Sequence, residues 1–178
     1  MLINVAKVRK TFGASETFEF QEKLAPLDIG GELLEFTGPV EVVVKVTNLG
    51  NALLITGVIH SRVKCDCSRC LETIILPADG EFEQEMCYVS ELQSYLSDHP
   101  EAEEDENYLV LNTDTVDLTE MVREQIVLAT PMKPLCSETC QGLCPKCGKN
   151  LNLGACGCNV QEIDPRLADL AKLLKSDS

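Results

Sequence analysis

The chain has no tryptophan and only 4% aromatic residues, so aliphatic side chains must fill its interior. It also lacks any apolar run near the roughly 20 residues that a membrane-spanning helix needs. The first residues, MLINVAKVRK, contain no long apolar stretch, and we therefore expect no signal peptide and a cytoplasmic location. Histidine is scarce, with only His60 and His99, which leaves a cysteine nucleophile without an obvious basic partner.

Basic residues are outnumbered, because 15 lysines and arginines face 29 acids and give a net charge of −14. Such a charge argues against nonspecific binding to nucleic acid. The distribution is uneven: residues 1–11 carry three basic side chains and no acid, and residues 60–70 and 129–158 also carry an excess of base. Residues 98–106 hold six acids and no base, which is typical of a solvated loop. We therefore expect a polarised molecule with its cysteine-bearing parts on the basic side.

The middle of the chain has the two-residue alternation of β-strands. Valines alternate with other residues from Val40, and the sequence NLGN at 48–51 predicts a hairpin turn. The next strand, about residues 52–65, would place on one face Leu53, Ile55, Ile59 and Val63, and on the other His60, Arg62 and Lys64. That basic stripe suits a polyanion, but an ordinary solvated face has the same pattern. Two further strands, at 73–77 and 81–89, complete a predicted antiparallel sheet with one wetted face.

The remaining patterns predict the domain organisation. Residues 2–9 alternate loosely, as in a strand, whereas Asp117 and Glu120 fit a capping box for a helix at 117–130. Asp164 and Pro165 predict the start of a terminal helix. We expect an α+β fold: an antiparallel β-rich body (a sheet or partial barrel) with two helices and a small C-terminal zinc-binding module. The body would cover 1–131, including the acidic loop at about 98–106, followed by a cysteine-rich module at 132–160 and a helix at 161–178.

Ten cysteines in a chain without a secretion signal favour metal binding over disulfides. The sequence CPKCG at 144–148 is a zinc knuckle, in which a Cys-x-x-Cys turn directs both sulfurs inward. The other two ligands would come from Cys136 or Cys140 and from Cys156 or Cys158, so six candidates predict a structural zinc site: Cys136, Cys140, Cys144, Cys147, Cys156 and Cys158. An iron–sulfur cluster fits the short knuckle less well, and a thioredoxin-like redox pair would need a βαβ context.

A second cysteine motif, Cys67-x2-Cys70, follows the predicted strand. It could form a second zinc site if it recruited two of the six C-terminal cysteines. Alternatively, these residues are reduced thiols near a hairpin turn, because two ligands alone do not make a site. Cys87 belongs to neither motif.

Several motifs occur in an order that resembles the YceD-like family, which is associated with accumulation of large-subunit ribosomal RNA. They are VKCDCSRCLETI, DLTEMVREQIVLATPMKPLC, CSETCQGLCPKCGKNLN with CGC, and the ending IDPRLADLAKLL. The resemblance covers roughly residues 40–175 and corresponds to the cysteine-rich C-terminal form of the family. Cys65, an additional cysteine beside the expected pair, departs from the pattern. The resemblance implies a role in ribosome biogenesis and no established catalytic activity.

Three hypotheses about function remain, of which an enzyme that acts on RNA is the third and the weakest. The first is a noncatalytic factor that supports synthesis, processing or accumulation of large-subunit ribosomal RNA by binding the RNA, a ribosomal protein or an assembly factor. The alternative is a zinc-stabilised adaptor that binds only protein through its acidic face. We expect no enzyme, because no constellation of acids and histidine suggests a site for RNA cleavage, and we expect neither a membrane nor a small-molecule substrate. If RNA is bound, the candidate contacts are the basic residues in or beside the cysteine motifs: Arg62, Lys64, Arg69, Lys146 and Lys149.

Overall fold

The computed structural model describes residues 1–30, 32–98 and 109–158. It has a mixed α+β fold with a β-rich body, which confirms the predicted fold class. The elements in chain order are β1 (Leu2–Asn4), α1 (Ala6–Arg9), β2 (Ser15–Glu22), β3 (Leu27–Ile29), β4 (Glu32–Phe36), β5 (Val40–Asn48), β6 (Ala52–His60), β7 (Arg62–Asp66), β8 (Thr73–Pro77), β9 (Gly80–Tyr88), α2 (Leu92–Asp98), β10 (Leu109–Leu111), β11 (Thr115–Asp117), α3 (Thr119–Ala129) and a 3-10 turn at Leu151–Leu153. Apart from Asp98, the expected acidic loop lies outside the described residues, and so does the expected terminal helix.

The chain forms two compact units. The first comprises Met1–Asp66 and Thr73–Pro134, and it contains every strand and helix named above. The second comprises Cys67–Glu72 and the chain from Leu135 onwards, of which residues 135–158 are described. The short segment Cys67–Glu72, which connects β7 to β8 along the chain, therefore belongs to the unit that contains the C-terminal cysteines.

A five-stranded sheet in the order β10-β9-β6-β5-β2 dominates the first unit. Its pairs are antiparallel except for β10 and β9, which run parallel. On β5, the alternating valines are completely buried at Val40, Val42, Val44 and Val46, as the two-residue period requires. The predicted hairpin is confirmed, because β5 ends at Asn48 and β6 begins at Ala52, paired in register through Asn48 and Leu53.

The expected continuous strand at 52–65 is wrong, because the chain breaks at Ser61 into two strands of different sheets. β6 belongs to the five-stranded sheet, whereas β7 belongs to a four-stranded sheet in the order β3-β4-β7-β8. The Ser61 hydroxyl donates to the carbonyl of Ala78 at 2.7 Å, and the Ser61 amide donates to the Asp79 carboxylate at 3.2 Å. These bonds satisfy the backbone where the strand pairing is interrupted. The alternation of buried and exposed residues continues across the break.

Helix α3 packs its apolar side against the core that the two sheets share. Leu118, Val122 and Ile126 are completely buried in one cluster with the inward residues of both sheets. The helix begins at Thr119 rather than at residue 117, because Asp117 still belongs to β11. The Asp117 carboxylate accepts the Thr119 amide at 2.9 Å, but the expected capping box of Asp117 and Glu120 is not formed, because the N-cap residue is Leu118, which makes no side-chain capping bond.

The N-terminal third contains elements that the sequence patterns did not predict. Only Leu2–Asn4 is extended, and the Asn4 side chain accepts the Ala6 amide at 3.0 Å where the chain turns into α1. The expected strand over 2–9 is therefore too long. Strands β2, β3 and β4 lie between residues 15 and 36, where the sequence patterns predict no strand. Among the described residues, no helix is long and apolar enough to cross a membrane.

Candidate metal centres

The segment Cys67–Glu72 is a tight loop that brings two cysteine sulfurs together. The Cys67 amide donates to the Glu72 carbonyl at 2.8 Å, and the Leu71 amide donates to the Cys67 carbonyl at 2.9 Å. Leu71 has a φ of 59°, which is uncommon for a residue with a branched side chain and marks a turn that the surroundings enforce. Cys67 and Cys70 are both buried, although they lie in a loop.

Backbone hydrogen bonds attach this loop to the C-terminal segment of the same unit. The Leu143 amide donates to the Arg69 carbonyl at 3.1 Å, and the Arg69 guanidinium donates to the Cys140 carbonyl at 3.0 Å. Gly142 has a φ of 71°, and a Cβ at this position would lie 3.1 Å from the Arg69 carbonyl oxygen. Because a side chain there would be strained and crowded, glycine permits the close approach of the two backbones.

The first cysteine cluster consists of Cys67, Cys70, Cys136 and Cys140, whose sulfur atoms all lie within 4.8 Å of one another. The Cys67 and Cys140 sulfurs are 3.8 Å apart, and the Cys70 and Cys136 sulfurs are 3.6 Å apart. Four thiolates around a tetrahedral ion with metal–sulfur bonds near 2.3 Å have sulfurs about 3.8 Å apart. The separations therefore fit a metal ion and are far too long for disulfides.

Hydrogen-bond donors surround the sulfurs of the first cluster. The Cys136 amide donates to the Cys67 sulfur at 3.4 Å, and the Asn152 side-chain amide donates to the Cys140 sulfur at 3.3 Å. Asn152 is in turn held by the Gln141 amide, which donates to its side-chain oxygen at 2.8 Å. Such donors stabilise thiolates and orient metal ligands.

In the first cluster, the pKa values of Cys67 and Cys136 are shifted in opposite directions. Burial acts to raise the pKa of Cys67, but backbone amides of Cys70, Arg69 and Cys136 together lower it to about 6. Beside it, the sulfurs of Cys140 and Cys70 raise the pKa of Cys136 to about 12. The four sulfurs are so close that they cannot all be ionised without a cation between them, which is the condition that a bound divalent metal ion satisfies.

The second cysteine cluster consists of Cys144, Cys147, Cys156 and Cys158, again with all sulfurs within 4.8 Å. The knuckle is closed by the Gly148 amide, which donates to the Cys144 carbonyl at 2.9 Å, and Gly148 has a φ of 71°. Backbone amides of Cys147 and Lys146 lower the pKa of Cys144 to about 6, whereas the sulfurs of Cys147 and Cys156 raise the pKa of Cys158 to about 12. As in the first cluster, one thiol has a lowered pKa and another a raised pKa, and the four sulfurs have the spacing of a metal site. A second metal ion therefore fits here.

The two clusters share a polar framework. Leu143 and Asn150 form an isolated antiparallel bridge, and the Leu151 amide donates to the Gly142 carbonyl at 2.9 Å. The Asn150 side chain donates to the Glu72 carboxylate at 3.0 Å and so connects the two segments of the unit again. Asn150, Asn152 and Glu72 were not among the sequence candidates, because asparagines at alternate positions have no motif that marks them as supports of a metal site.

The family model described as Large ribosomal RNA subunit accumulation protein YceD matches residues 55–174. The chain belongs to the YceD family. All eight cysteines of the two clusters lie within the matched range. Cys65 and Cys87 lie outside both clusters: Cys65 is buried in the core of the first unit, and Cys87 is buried on β9.

Relatives of the chain are found in bacteria and plants. An uncharacterized protein of Mycobacterium tuberculosis strain H37Rv is 28% identical over 181 residues, which cover 100% of this chain and 83% of that protein. The uncharacterized protein YlbN of Bacillus subtilis is 33% identical over 112 residues, covering 62% of this chain and 60% of YlbN. A protein of Arabidopsis thaliana named Large ribosomal RNA subunit accumulation protein YCED homolog 1, chloroplastic, is 24% identical over 157 residues, covering 76% of this chain and 48% of that protein. No solved structure matches the chain.

The five basic residues singled out from the sequence have different environments. In the first unit, Lys64 forms an exposed ion pair with Glu35 at 3.0 Å, and Arg62 lines a polar cavity of about 580 Å³ together with His60 and Asp79. In the second unit, Arg69 is engaged with backbone carbonyls of the cysteine segment. Lys146 and Lys149 are exposed on the knuckle, where the Lys149 ammonium donates to the Ala155 carbonyl at 3.1 Å.

Proposed function

We propose that this chain is a noncatalytic, zinc-containing factor of ribosome biogenesis that supports the synthesis, processing or accumulation of large-subunit ribosomal RNA in the cytoplasm. The observation that carries this proposal is the family match, which includes both cysteine clusters. Two plant relatives bear the name of a large ribosomal RNA subunit accumulation protein. The role assigned to the cysteines is structural, because each cluster offers four protein ligands and leaves no position open for a substrate.

Zinc is the ion that we assign to both clusters. Four thiolates with tetrahedral spacing are a preferred ligand set of structural zinc, and the knuckle with its glycine is a common scaffold for it. Apolar burial is sparse in residues 135–158, where Cys140 and Cys144 are buried but Leu153 is 76% exposed. Metal binding would therefore supply much of the folding energy of the second unit, on the order of 10 kcal/mol per ion in apparent terms.

We further propose that the chain acts by direct contact with ribosomal RNA through Arg62, Lys64, Lys146 and Lys149. Arg69 is the fifth candidate, but its guanidinium also holds the cysteine segment, so a substitution there would confuse RNA binding with folding. Each side chain that neutralises a phosphate should contribute about 0.7 to 0.9 to the slope of log affinity against log salt.

The test compares double variants of the metal-loaded protein for binding to fragments of large-subunit ribosomal RNA over a range of salt concentrations. Arg62→Gln with Lys64→Gln, and Lys146→Gln with Lys149→Gln, should each flatten the salt dependence by about 1.4 to 1.8. Lys23→Gln with Lys172→Gln removes the same charge elsewhere and should have a much smaller effect. If the wild-type protein binds no RNA, or if the Arg62/Lys64 and Lys146/Lys149 variants both keep its salt slope, the contact is not made by these residues. A protein-only adaptor would then account better for the chain.

A further inference from the structure

Phe12 is an aromatic ring on the surface of a protein that has few aromatic residues. Its side chain is 79% exposed, whereas Phe82, Tyr88 and Tyr95 are buried. Among the described aromatic residues, it is the one with a largely exposed ring. An isolated exposed phenylalanine is common on protein surfaces, so its surroundings decide whether it has a binding role.

The backbone around Phe12 is held rigidly. Phe12 lies in a four-residue turn that is closed by the Ala14 amide, which donates to the Thr11 carbonyl at 3.1 Å. Gly13, the third residue of the turn, has a φ of 74°, as a type II turn requires. The Gly13 amide donates to the Asn48 carbonyl at 2.9 Å, so the turn is attached to the end of β5.

The buried side chain of Asn48 holds the neighbouring segments in place. Its amide nitrogen donates to the carbonyls of Val8 and Arg9 at 3.0 and 2.8 Å, and its oxygen accepts the Gly50 amide at 2.7 Å. The Phe12 ring lies against Gly50, with its Cδ2 atom 3.4 Å from the position where a Cβ would be. One edge of the ring thus packs against Gly50, while most of its surface remains open to solvent. Because the ring and its turn are already held in place, the Phe12 side chain would lose little conformational entropy when a ligand binds.

Two lysines lie close to Phe12 in the sequence, on the segment just before its turn. Lys7 and Lys10 are exposed and three residues apart, so they lie on one side of the short helix α1 and its last turn. In the part of the chain that the structure describes, neither ammonium group has an ion pair or a hydrogen bond. Arg9 differs, because it stacks on Tyr88 at 3.6 Å from the ring centre and pairs with Asp114. No aspartate or glutamate precedes Glu16 in the sequence, so the segment that carries Lys7, Lys10 and Phe12 has no acid of its own.

We propose that the surface formed by Lys7, Lys10 and Phe12, which we call the Phe12 surface, binds single-stranded RNA. One base would stack on the Phe12 ring, and the two lysines would contact the adjacent phosphates. An open aromatic face beside unpaired cations is the combination by which proteins bind single strands with little sequence preference. This inference rests on the proposed function and adds to it a contact site that lies outside the cysteine motifs. The site selects unpaired nucleotides, because a base within a duplex has no free face for stacking.

The first experiment measures binding of a ten-nucleotide oligouridylate to the metal-loaded full chain. Phe12→Ala should weaken binding on the order of 10-fold or more, whereas Phe12→Tyr, which keeps a stacking ring, should bind like the wild type. Phe12→Leu keeps an apolar side chain without a ring and should behave like Phe12→Ala. Lys7→Gln with Lys10→Gln should reduce the salt slope by about 1.4. The thermal unfolding midpoint of each variant checks that folding is unchanged, as the exposure of these side chains leads us to expect.

A second experiment uses the absence of tryptophan from the chain. Phe12→Trp introduces a single tryptophan, whose fluorescence a stacked uracil should quench. Leu128→Trp places a control tryptophan at a site that is 75% exposed in the same unit. Quenching at position 12 but not at position 128 supports the proposal. If the oligouridylate binds without quenching at position 12, or if Phe12→Leu binds like the wild type, the Phe12 surface is not a stacking site.

The outcomes separate this inference from the proposed function. If Phe12 variants bind RNA normally while the lysine and arginine variants of the cysteine motifs lose binding, the inference fails and the proposed function stands. If the wild-type protein binds neither the oligouridylate nor ribosomal RNA, the proposed function fails and the inference fails with it. If Phe12→Ala abolishes capture of a protein partner and leaves RNA binding unchanged, the Phe12 surface is a protein-docking site and the inference is wrong.

Discussion

Loss of the first cysteine cluster should release the Cys67–Glu72 loop from the C-terminal segment. Cys70 and Cys136 are 66 residues apart in sequence, so a metal ion that joins them closes a long loop. A structural zinc site contributes on the order of 10 kcal/mol of apparent binding free energy to the closed state, or about 2.5 kcal/mol for each of its four ligands if they contribute equally. Cys70→Ser removes one ligand and should therefore lower the free energy of local opening by at least about 2.5 kcal/mol, which is nearly two powers of ten in an opening equilibrium.

The amide of Leu143 reports this change directly, because it donates to the Arg69 carbonyl on the other segment. In hydrogen exchange, the Leu143 amide should exchange on the order of 100-fold faster in Cys70→Ser than in the wild type. Cys147→Ser is the matched control, since the ligands of the second cluster all lie between Cys144 and Cys158. It should expose the Gly148 amide and leave the Leu143 amide largely protected.

Two results would refute this reasoning. Unchanged protection of Leu143 in Cys70→Ser would mean that the hydrogen bonds between the segments suffice without a metal ion. Equal loss of protection at the buried valines of β5 would mean that the cluster stabilises the core of the first unit as well. In either case the free energy that we attribute to the metal ion would be misassigned.

Three further predictions concern metal content, packing and pH. Elemental analysis of the purified protein should find two zinc ions per chain and no stoichiometric iron, and a folded, metal-free second unit would contradict the zinc assignment. Gly57→Ala should destabilise the protein by at least about 1–3 kcal/mol in urea unfolding, because the new Cβ would clash with the Phe82 ring. Gly38→Ala, whose Cβ meets open space, should be nearly neutral. Burial and the hydrogen bond to Asp114 raise the pKa of Tyr88 to about 12, so the folded state keeps a proton that the unfolded chain loses near its ordinary pKa of 10. The free energy of unfolding should therefore fall as the pH rises from about 10 to 12, and Tyr88→Phe should remove this part of the pH dependence. If Tyr88→Phe leaves the pH dependence of unfolding unchanged, Tyr88 is not the titrating group.

Local patterns in the sequence predicted much of the sheet. Alternation identified β5, β8 and β9 and the inward residues of β6, because a strand with one buried face repeats every two residues. The same alternation concealed the break at Ser61, since inward and outward positions continue in phase from β6 into β7. The strand pairing shows that one run of alternating residues serves two sheets, because β6 pairs with β5 and β9, whereas β7 pairs with β4 and β8.

The sequence by itself determined that cysteines dominate the chemistry of this chain, because a Cys-x-x-Cys turn brings two sulfurs together by local geometry alone. It left open which of the remaining cysteines join each pair. The tertiary structure decided that grouping: it brings Cys67 and Cys70 beside Cys136 and Cys140, and it leaves Cys156 and Cys158 to the knuckle. The reason is physical, because the positions of residues 66 or more apart depend on how the intervening strands pack and not on the spacing of the motifs.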